Sequence, residues 1–347
     1  MMKKRAESIF YIDFLRFIAV IAVIMIHVLG PFRYLYGEIA DVQWLAAMGF
    51  NSMARWAVPV FMFISGALLL STEKAFQCEY YLSKRLMKVV LPFIGWTLIY
   101  AIVAGFMVND SLTGQWVSSI TINMLEKAPN EPVWYHLWFF YDFIPLYFVI
   151  PFLIPLLKKS SPEYIKLALF TWMVLFVMNW FNVESFLQKN IILYSGYLIL
   201  GWYLFNRDNR PQLRAWVVAG SMMLLINFCG SWMLAIENGQ YSGFYMSYKT
   251  FNTAVIAGML FVLAQTYADK IKGRLRRLIS IISTYSLGIY LIHPLLLIPV
   301  RELNNGFYTW FGSNWLAIPV LTLLTLMVSL LFTMLLVKIP LIKRLVP

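Results

Sequence analysis

Long apolar stretches constrain this chain more than any other feature of its sequence. Ten of them have the ~17 to 25 residues that let a helix cross the ~30 Å hydrocarbon core of a bilayer. They centre on residues 10–31, 55–71, 88–108, 135–157, 164–181, 188–205, 214–236, 247–268, 279–300 and 315–337. Hydrophobic residues make up 61% of the 347, far outside the usual range for a soluble domain. The sequence therefore predicts an all-α integral membrane protein with about ten transmembrane helices.

The basic residues favour one orientation of these helices. The net charge of +12 could indicate nucleic-acid binding, but most of the 28 Lys and Arg residues fall in loops on one predicted side. These loops contain the basic residues within 3–5, 74–88, 158–166, 207–214, 270–277 and 338–344. The other side receives only Arg33, Arg55, Lys127, Lys189, Lys249 and Arg301. This positive-inside asymmetry predicts that both termini are cytoplasmic.

The rest of the chain indicates a single membrane domain over residues 1–347. The N-terminal segment resembles the start of a signal peptide, but Arg16 interrupts its apolar run and no small-residue cleavage site follows, so we expect an uncleaved first helix. Cys78 in a loop and Cys229 in a helix predict neither a disulfide nor a metal site. The longest outer loop is expected from Asn109 to Trp134. The absence of a clear internal repeat weakens the case for a transporter built from inverted halves.

Aromatic residues cluster where the predicted helices meet the outer loops, in VWYHLWFFY (residues 133–141) and GFYTWFGSNW (residues 306–315). One interpretation is a belt of Trp and Tyr at the membrane interface. The other is a platform on which sugar rings stack, which would make Trp138 a substrate-binding residue. The sequence does not separate the two.

The first apolar stretch carries three titratable side chains on one helical face. A helix turns ~100° and rises ~1.5 Å per residue, so Arg16 and His27 are separated by three turns plus about 20°, and by ~16 Å along the axis. Asp13 lies three residues before Arg16 and joins the same face. Because charged groups that face lipid cost several kcal/mol, this face must contact protein or a water-filled cavity. Two interpretations stay open. Either Asp13 and Arg16 form an ion pair and His27 is a separate core histidine, or the three residues belong to a functional site.

If the face belongs to a functional site, histidines lie at its outer end and basic residues at its inner end. The three histidines, His27, His136 and His293, all fall in the predicted outer half of the membrane, where imidazole suits proton transfer near neutral pH. At the inner side, Lys84, Arg85 and Lys88 are either ordinary positive-inside anchors or part of a pocket, with Arg16, for an anionic ligand that bears phosphates.

Four motifs, in the expected order, resemble the membrane acyltransferase-3 family. They are DFLRFIAVIAVIMIHV with its Arg-x10-His spacing, RWAVPVFMFISGALLL (residues 55–70), the basic SKRLMKVVLP and the late YSLGIYLIHPLLL (residues 285–297). VWYHLWFFYDFIPLY looks most like the branch that contains the enterobacterial common antigen O-acetyltransferase. Lys88, where the basic motif often has Arg, and Asp142, an acid in a usually apolar stretch, depart from the pattern. The lack of an appended hydrolase-like domain suggests a stand-alone enzyme.

The resemblance implies transfer of an acyl group, most often acetyl, from cytoplasmic acyl-CoA to a hydroxyl of a cell-surface polysaccharide or lipid-linked sugar in a bacterial inner membrane. Lys84, Arg85 and Lys88 would hold the CoA phosphates, and the pantetheine arm would extend beside the first helix. His27 is the candidate general base, and a transient acyl-histidine is the alternative. Arg16 would bind CoA or order the helix, with Asp13 as its partner.

The remaining candidates have less definite roles. His136 or His293 would donate a hydrogen bond to the developing oxyanion or help to place the sugar, and Asp142 would orient an imidazole or pair with a base. Arg55 would either meet an anionic part of the acceptor or sit at the interface as an ordinary arginine. Ser65 and Gly66 are expected to allow close helix packing.

Two other functions stay open. A transporter or flippase of polyprenyl-linked sugars would also need about ten helices and buried polar groups, but no proton-transfer histidine and no acyl-CoA. A purely structural subunit of a polysaccharide assembly complex would leave the alignment of Arg16 with His27 unexplained. The identity of the acyl group and of the acceptor is not fixed by the sequence.

Overall fold

The computed structural model describes residues 9–73, 75–108, 111–112, 114–181, 183, 188–302, 310–340 and 342–346. Within these ranges the chain is almost entirely helical. Its helices are α1 (Phe10–Val28), α2 (Asp41–Ala54), α3 (Ala57–Leu70), α4 (Cys78–Tyr81), α5 (Met87–Gly105), α6 (Ser118–Lys127), α7 (Trp138–Lys159), α8 (Pro162–Trp180), α9 (Asn190–Phe205), α10 (Leu213–Asn238), α11 (Phe251–Tyr267), α12 (Gly273–Thr284), α13 (Ser286–Glu302) and α14 (Asn314–Leu336). A π-helical turn, Leu82–Leu86, joins α4 to α5.

Nine of the ten predicted spans each overlap one helix, the span at residues 279–300 overlaps two, and the all-α membrane class is confirmed. In the described ranges, seven segments are long and apolar enough to cross a bilayer, and a bent pair of helices makes an eighth. Helix α9 has only 16 residues, and α8 is not among the seven. The count of ten and the cytoplasmic termini therefore stay predictions. The basic residues 3–5 and Lys74 lie outside the described residues, as do residues 182 and 184–187 between α8 and α9.

Two predicted segments have different bounds in the structure. The second span begins at Asp41 instead of residue 55, because α2 precedes α3 with only Arg55 and Trp56 between them. The predicted loop from Asn109 to Trp134 contains α6, which packs on α5: Thr121 donates a hydrogen bond to the Ala101 carbonyl (3.0 Å). A two-residue pairing of β1 (Met107–Val108) with β2 (Ser111–Leu112) precedes it. A search for long apolar runs does not find these elements, because they are short or contain polar residues.

The span predicted over residues 279–300 is not straight. It consists of α12 and α13, whose axes differ by 75°. Helix α12 carries Arg274, Arg276 and Arg277 on one side and buries Ile279 and Ile282 on the other, whereas α13 is apolar. An amphipathic helix of this kind suits the membrane surface, while the apolar helix suits the interior. The bend brings the end of α12 to the start of α1 and α13 alongside it.

Helix α1 occupies the centre of the bundle. It packs against α2, α3, α11, α12, α13 and α14. Leu15, Ala19, Val20, Ile24 and Val28 are all fully buried, and they cover more than one face of the helix. The side chains of Arg16 and His27 therefore project into protein, which satisfies the requirement that charged groups in a membrane avoid lipid.

Helices α3 and α9 approach each other through two glycines. A Cβ on Gly66 would lie 2.0 Å from the Leu198 carbonyl oxygen, and one on Gly201 would lie 2.3 Å from the Phe63 carbonyl oxygen. Only a residue without a side chain fits at either position. This agrees with the expectation that Gly66 serves close packing.

We expect Gly66→Ala to destabilise the protein by about 1–3 kcal/mol, because a methyl group against rigid backbone forces the two helices apart. Gly49→Ala is the matched control, since its Cβ would meet no atom closer than 3.6 Å. Thermal unfolding in detergent measures both. Equal unfolding temperatures for the two variants would contradict the close approach of α3 and α9.

Candidate functional site

Two histidines from distant parts of the sequence pair at the end of α1. His27 lies in the last turn of α1, and His293 lies within α13. His27 Nδ1 and His293 Nε2 are 2.7 Å apart, and the two rings are parallel, with centroids 5.0 Å apart. His293 is completely buried and His27 is half-buried. Only one of these rings therefore has a side that faces open space.

The hydrogen bonds of the pair determine where its protons lie. His293 Nδ1 is 3.2 Å from the Ile289 carbonyl oxygen, which can only accept, so Nδ1 carries the hydrogen. In the neutral ring, Nε2 of His293 is then an acceptor, and His27 must donate to it from Nδ1. It follows that Nε2 of His27 has a free lone pair. A half-buried imidazole with a fixed tautomer and a free Nε2 is suited to accept a proton.

The third histidine joins the pair from the segment before α7. The His136 ring lies 5.8 Å from that of His293, 4.8 Å from Tyr100 and 5.3 Å from Tyr290. Tyr290 donates a hydrogen bond to the backbone carbonyl of His136. His136 is fully buried, and neither ring nitrogen has a partner among the described residues. Since buried polar groups are normally hydrogen-bonded, these nitrogens mark a position for a polar group of a ligand or water.

Two residues that the sequence analysis did not select complete the surroundings of His27. The Tyr135 ring packs edge-on against His27 with centroids 5.0 Å apart, and Arg301 donates a hydrogen bond to the His27 carbonyl oxygen (3.1 Å). The position of Arg301, eight residues after His293, carries no motif that could have identified it. Tyr135 was assigned only to the aromatic cluster.

The other end of the face on α1 also makes the expected contacts. Arg16 and Asp13 lie 3.7 Å apart, and Ser283 of α12 donates a hydrogen bond to Asp13 Oδ1 (2.8 Å). The acid is therefore fixed by two groups. Arg16 is left with most of its donors directed to a cavity.

This cavity, of about 290 Å³, runs beside α1. Arg16 and Arg85 line it at one end, and Val23 and Tyr290 line it as well. Val23 lies one turn before His27 on the same face, so the cavity points towards the imidazole. A larger cavity of about 770 Å³, with Glu73, Gln77 and Tyr80 in its walls, shares Arg85 with the first. We refer to the two cavities together as the path beside α1, and Arg85 is the cation that lines both of them.

The basic motif is only partly involved in this path. Lys84 and Lys88 are exposed and line neither cavity, whereas Arg85 lines both. The π-helical turn over Leu82–Leu86 sets this orientation, because an extra residue in one turn rotates the side chains that follow it. Sequence spacing alone does not reveal such a rotation.

The other sequence-selected residues lie at separate positions. Asp142 accepts a hydrogen bond from Asn190 (2.8 Å), the first residue of α9, and it makes no imidazole contact among the described residues. Trp138 stacks on Tyr248 with centroids 5.5 Å apart and planes at 16°. Arg55 donates to the hydroxyl of the same Tyr248 (3.3 Å). Trp138 and Arg55 thus share one tyrosine, while Asp142 joins α7 to α9.

We expect Asp142→Ala and Asn190→Ala to lower the free energy of unfolding by similar amounts, about 1.5–3 kcal/mol, since each removes the same charge-assisted hydrogen bond. The double variant should lose little more than either single one. Thermal unfolding gives these values. Any activity per folded molecule should stay within about two-fold of wild type, and a much larger loss would assign Asp142 to the functional site.

Comparison with known proteins adds one result. The model of a family of acyltransferase domains matches residues 9–334, which include every residue of the site described above. No curated protein and no solved structure matches the chain significantly. The resemblance to the branch of the enterobacterial common antigen enzyme accordingly stays a prediction.

Proposed function

The chain belongs to the acyltransferase-3 family of membrane proteins, and on this basis we propose that it is an O-acyltransferase that uses acyl-CoA. The proposed acyl group is acetyl, and it passes from the cytoplasmic side to a hydroxyl of a cell-surface polysaccharide or lipid-linked sugar. The proposed location is the inner membrane of a bacterium, with the His27 end of α1 directed outward. No metal is required.

The observation that carries this proposal is the imidazole pair of His27 and His293, which lies one helical turn beyond Val23 in the wall of the cavity beside α1. Nε2 of His27 accepts the proton of the acceptor hydroxyl as its oxygen attacks the thioester carbonyl carbon. The tetrahedral intermediate then collapses with cleavage of the C–S bond. The thiolate of CoA leaves and recovers the proton from His27. His293 acts through His27, because its Nε2 accepts the Nδ1 hydrogen and keeps the base in the productive tautomer.

The two cavities suit the donor. The larger cavity has room and polar walls for the nucleotide, and Arg85 at the junction can hold a phosphate with its planar guanidinium. The narrower, mostly apolar cavity would take the pantetheine arm. Arg16 lies along this path and is oriented by Asp13. The thioester would then approach Tyr290 and the histidines.

His136 is suited to the developing negative charge. Its two buried nitrogens lack partners among the described residues, and its ring lies beside those of His293 and Tyr290. An N–H of His136 donated to the carbonyl oxygen of the thioester would strengthen as that oxygen becomes an oxyanion. The other nitrogen would remain for an acceptor hydroxyl or a water molecule.

We expect Arg85→Gln to raise the KM for acetyl-CoA about ten-fold and to leave kcat nearly unchanged, because a phosphate contact contributes equally before and during the reaction. Lys84→Gln is the matched control, since this neighbouring cation lines neither cavity, and its KM should change less than about two-fold. Initial rates at varied acetyl-CoA concentration measure both. Equal effects of the two substitutions would contradict the assignment of Arg85 as the phosphate ligand.

Transfer of label tests the function itself. Purified protein receives radiolabelled acetyl-CoA and cell-envelope glycan, and the glycan is recovered and counted. We expect label on the glycan with release of free CoA thiol in equal amount. Absence of transfer to any glycan, from acetyl-CoA and from longer acyl-CoA, would contradict the proposal and favour a transporter of polyprenyl-linked sugars.

A further inference from the structure

Three arginines at the His27 end of the bundle rest on tyrosine rings instead of carboxylates. The distances from guanidinium carbon to ring centroid are 5.0 Å for Arg301 and Tyr135, 4.7 Å for Arg33 and Tyr34, and 5.6 Å for Arg55 and Tyr248. Among the described residues, the ion pairs within 4.0 Å involve other arginines: Arg16, Arg210 and Arg276. Within the part of the chain that the structure describes, these three positive charges near His27 therefore have no acid within ion-pair distance.

These charges lie at the depth of the proposed base. Arg301 and Arg33 both act electrostatically on the His27 ring. Val23 of α1 and Val58 of α3 line the same cavity. His27 lies one turn from Val23, and Arg55 lies about one turn from Val58. The contacts between α1 and α3 therefore place Arg55 near the same level.

Arg301 is the arginine nearest to the reacting atoms. One of its five N–H groups donates a hydrogen bond to the His27 carbonyl oxygen. This places a cation at the C-terminal end of α1, where the helix dipole favours positive charge. The guanidinium of Arg301 also lies over the Tyr135 ring. A phenol ionises only at about pH 10, so Tyr135 is uncharged at neutral pH and does not compensate the guanidinium. Among the described residues no carboxylate lies within 4.0 Å of Arg301, so its charge and its other donors can serve a ligand.

We propose that the acceptor is an anionic sugar, whose carboxylate or phosphate binds the guanidinium of Arg301 while a nearby hydroxyl of the same molecule reaches Nε2 of His27. This inference rests on the proposed acyl transfer to a sugar. The planar fork of Arg301 matches the two oxygens of either anion. The half-exposed Tyr135 ring beside it offers an aromatic face to the sugar. The carboxylate or phosphate supplies the missing counter-charge, and Arg33 and Arg55 add to the attraction.

Matched pairs of small acceptors test this inference. Methyl glucuronide is compared with its uncharged carboxamide, and N-acetylglucosamine 1-phosphate with methyl N-acetylglucosaminide. Tryptophan fluorescence of the purified full-length protein gives the affinities without acyl-CoA, and label transfer gives kcat/KM. We expect each charged member to bind and react about ten-fold or more better than its neutral partner, as for one charge-assisted hydrogen bond. A preference in the glucuronide pair alone identifies the anion as a carboxylate, and a preference in the phosphate pair alone identifies it as a phosphate.

The variant Arg301→Gln should remove most of this preference, so that the charged and neutral members of each pair bind it with similar affinity. Arg207→Gln is the matched control: Arg207 lies 4.5 Å from the Tyr203 ring and donates to its hydroxyl (2.8 Å), but it lies beyond α9, away from the histidines. It should keep the full preference. If Arg301→Gln does not fold, Arg301→Lys and the wild-type comparison decide, with a reduced preference expected in the lysine variant.

Equal results for charged and neutral members in the wild type would overturn the inference, and so would a preference that persists in Arg301→Gln. Neither outcome affects acyl transfer as such. Conversely, if no acceptor is acylated, the proposed function fails, while the affinities measured without acyl-CoA still decide whether Arg301 binds anions.

Discussion

His27→Ala should reduce acyl transfer by about 10³-fold or more. The substitution removes the only imidazole of the three that is half-exposed and has a free Nε2 in the tautomer set by its neighbour. General-base catalysis contributes about 10² to 10⁴-fold, and an alkyl side chain offers no replacement. Initial rates with saturating acetyl-CoA and acceptor measure the loss. The KM for acetyl-CoA should change little, because its proposed phosphate ligand lies at the other end of the path.

His27→Gln separates the loss of the base from a loss of structure. Its amide can still contact His293 but cannot accept a proton at neutral pH. We expect this variant to unfold near the wild-type temperature and to be as inactive as His27→Ala. A glutamine variant that retains more than about a tenth of the wild-type rate would mean that another group accepts the proton.

His293→Ala should lower kcat by about 10 to 10²-fold with an unchanged KM for acetyl-CoA. His293 does not touch the substrate in this account; it is a positioning residue that holds His27 in one tautomer through the 2.7 Å contact. Without it, the ring of His27 can present the wrong nitrogen or turn away, and part of the contribution of general-base catalysis is lost. Steady-state kinetics separate kcat from KM.

Rescue by a conservative variant distinguishes positioning from simple packing. The side-chain oxygen of His293→Gln can accept the hydrogen from His27 Nδ1, so we expect this variant to recover at least about half of the lost activation free energy. His293→Leu fills a similar volume without an acceptor and should resemble His293→Ala. Equal rates in the glutamine and leucine variants would indicate that His293 merely fills space.

The sequence predicted the helices well because a bilayer imposes a length and an apolarity on each of them. The adjacent helices α8 and α9 were also predicted, as two separate spans. Apolar runs do not detect α2 or α6, whose sequences are more polar, and they do not show that the predicted span at residues 279–300 bends by 75°. The bend depends on the position that the basic face of α12 takes in the folded bundle, and that position cannot be read from the local sequence.

The candidate site was predictable along α1 and unpredictable across helices. Helical periodicity correctly aligned Asp13, Arg16 and His27, because it depends only on the chain itself. Which histidine meets His27, and through which nitrogen, depends on the packing of α1 against α13. Likewise Arg301 and Tyr135 reach His27 from distant segments, and the π-helical turn decides that Arg85, and neither Lys84 nor Lys88, lines the cavities.

The central claim is transfer of an acyl group through the site at His27 from one side of the membrane to the other. Proteoliposomes with protein in one orientation test it most directly, with radiolabelled acetyl-CoA on the side of Arg85 and glycan only on the side of His27. We predict labelled glycan with the wild-type protein and none above background with His27→Ala. Label that appears only when donor and acceptor share one side, or at a wild-type rate in His27→Ala, would contradict the account.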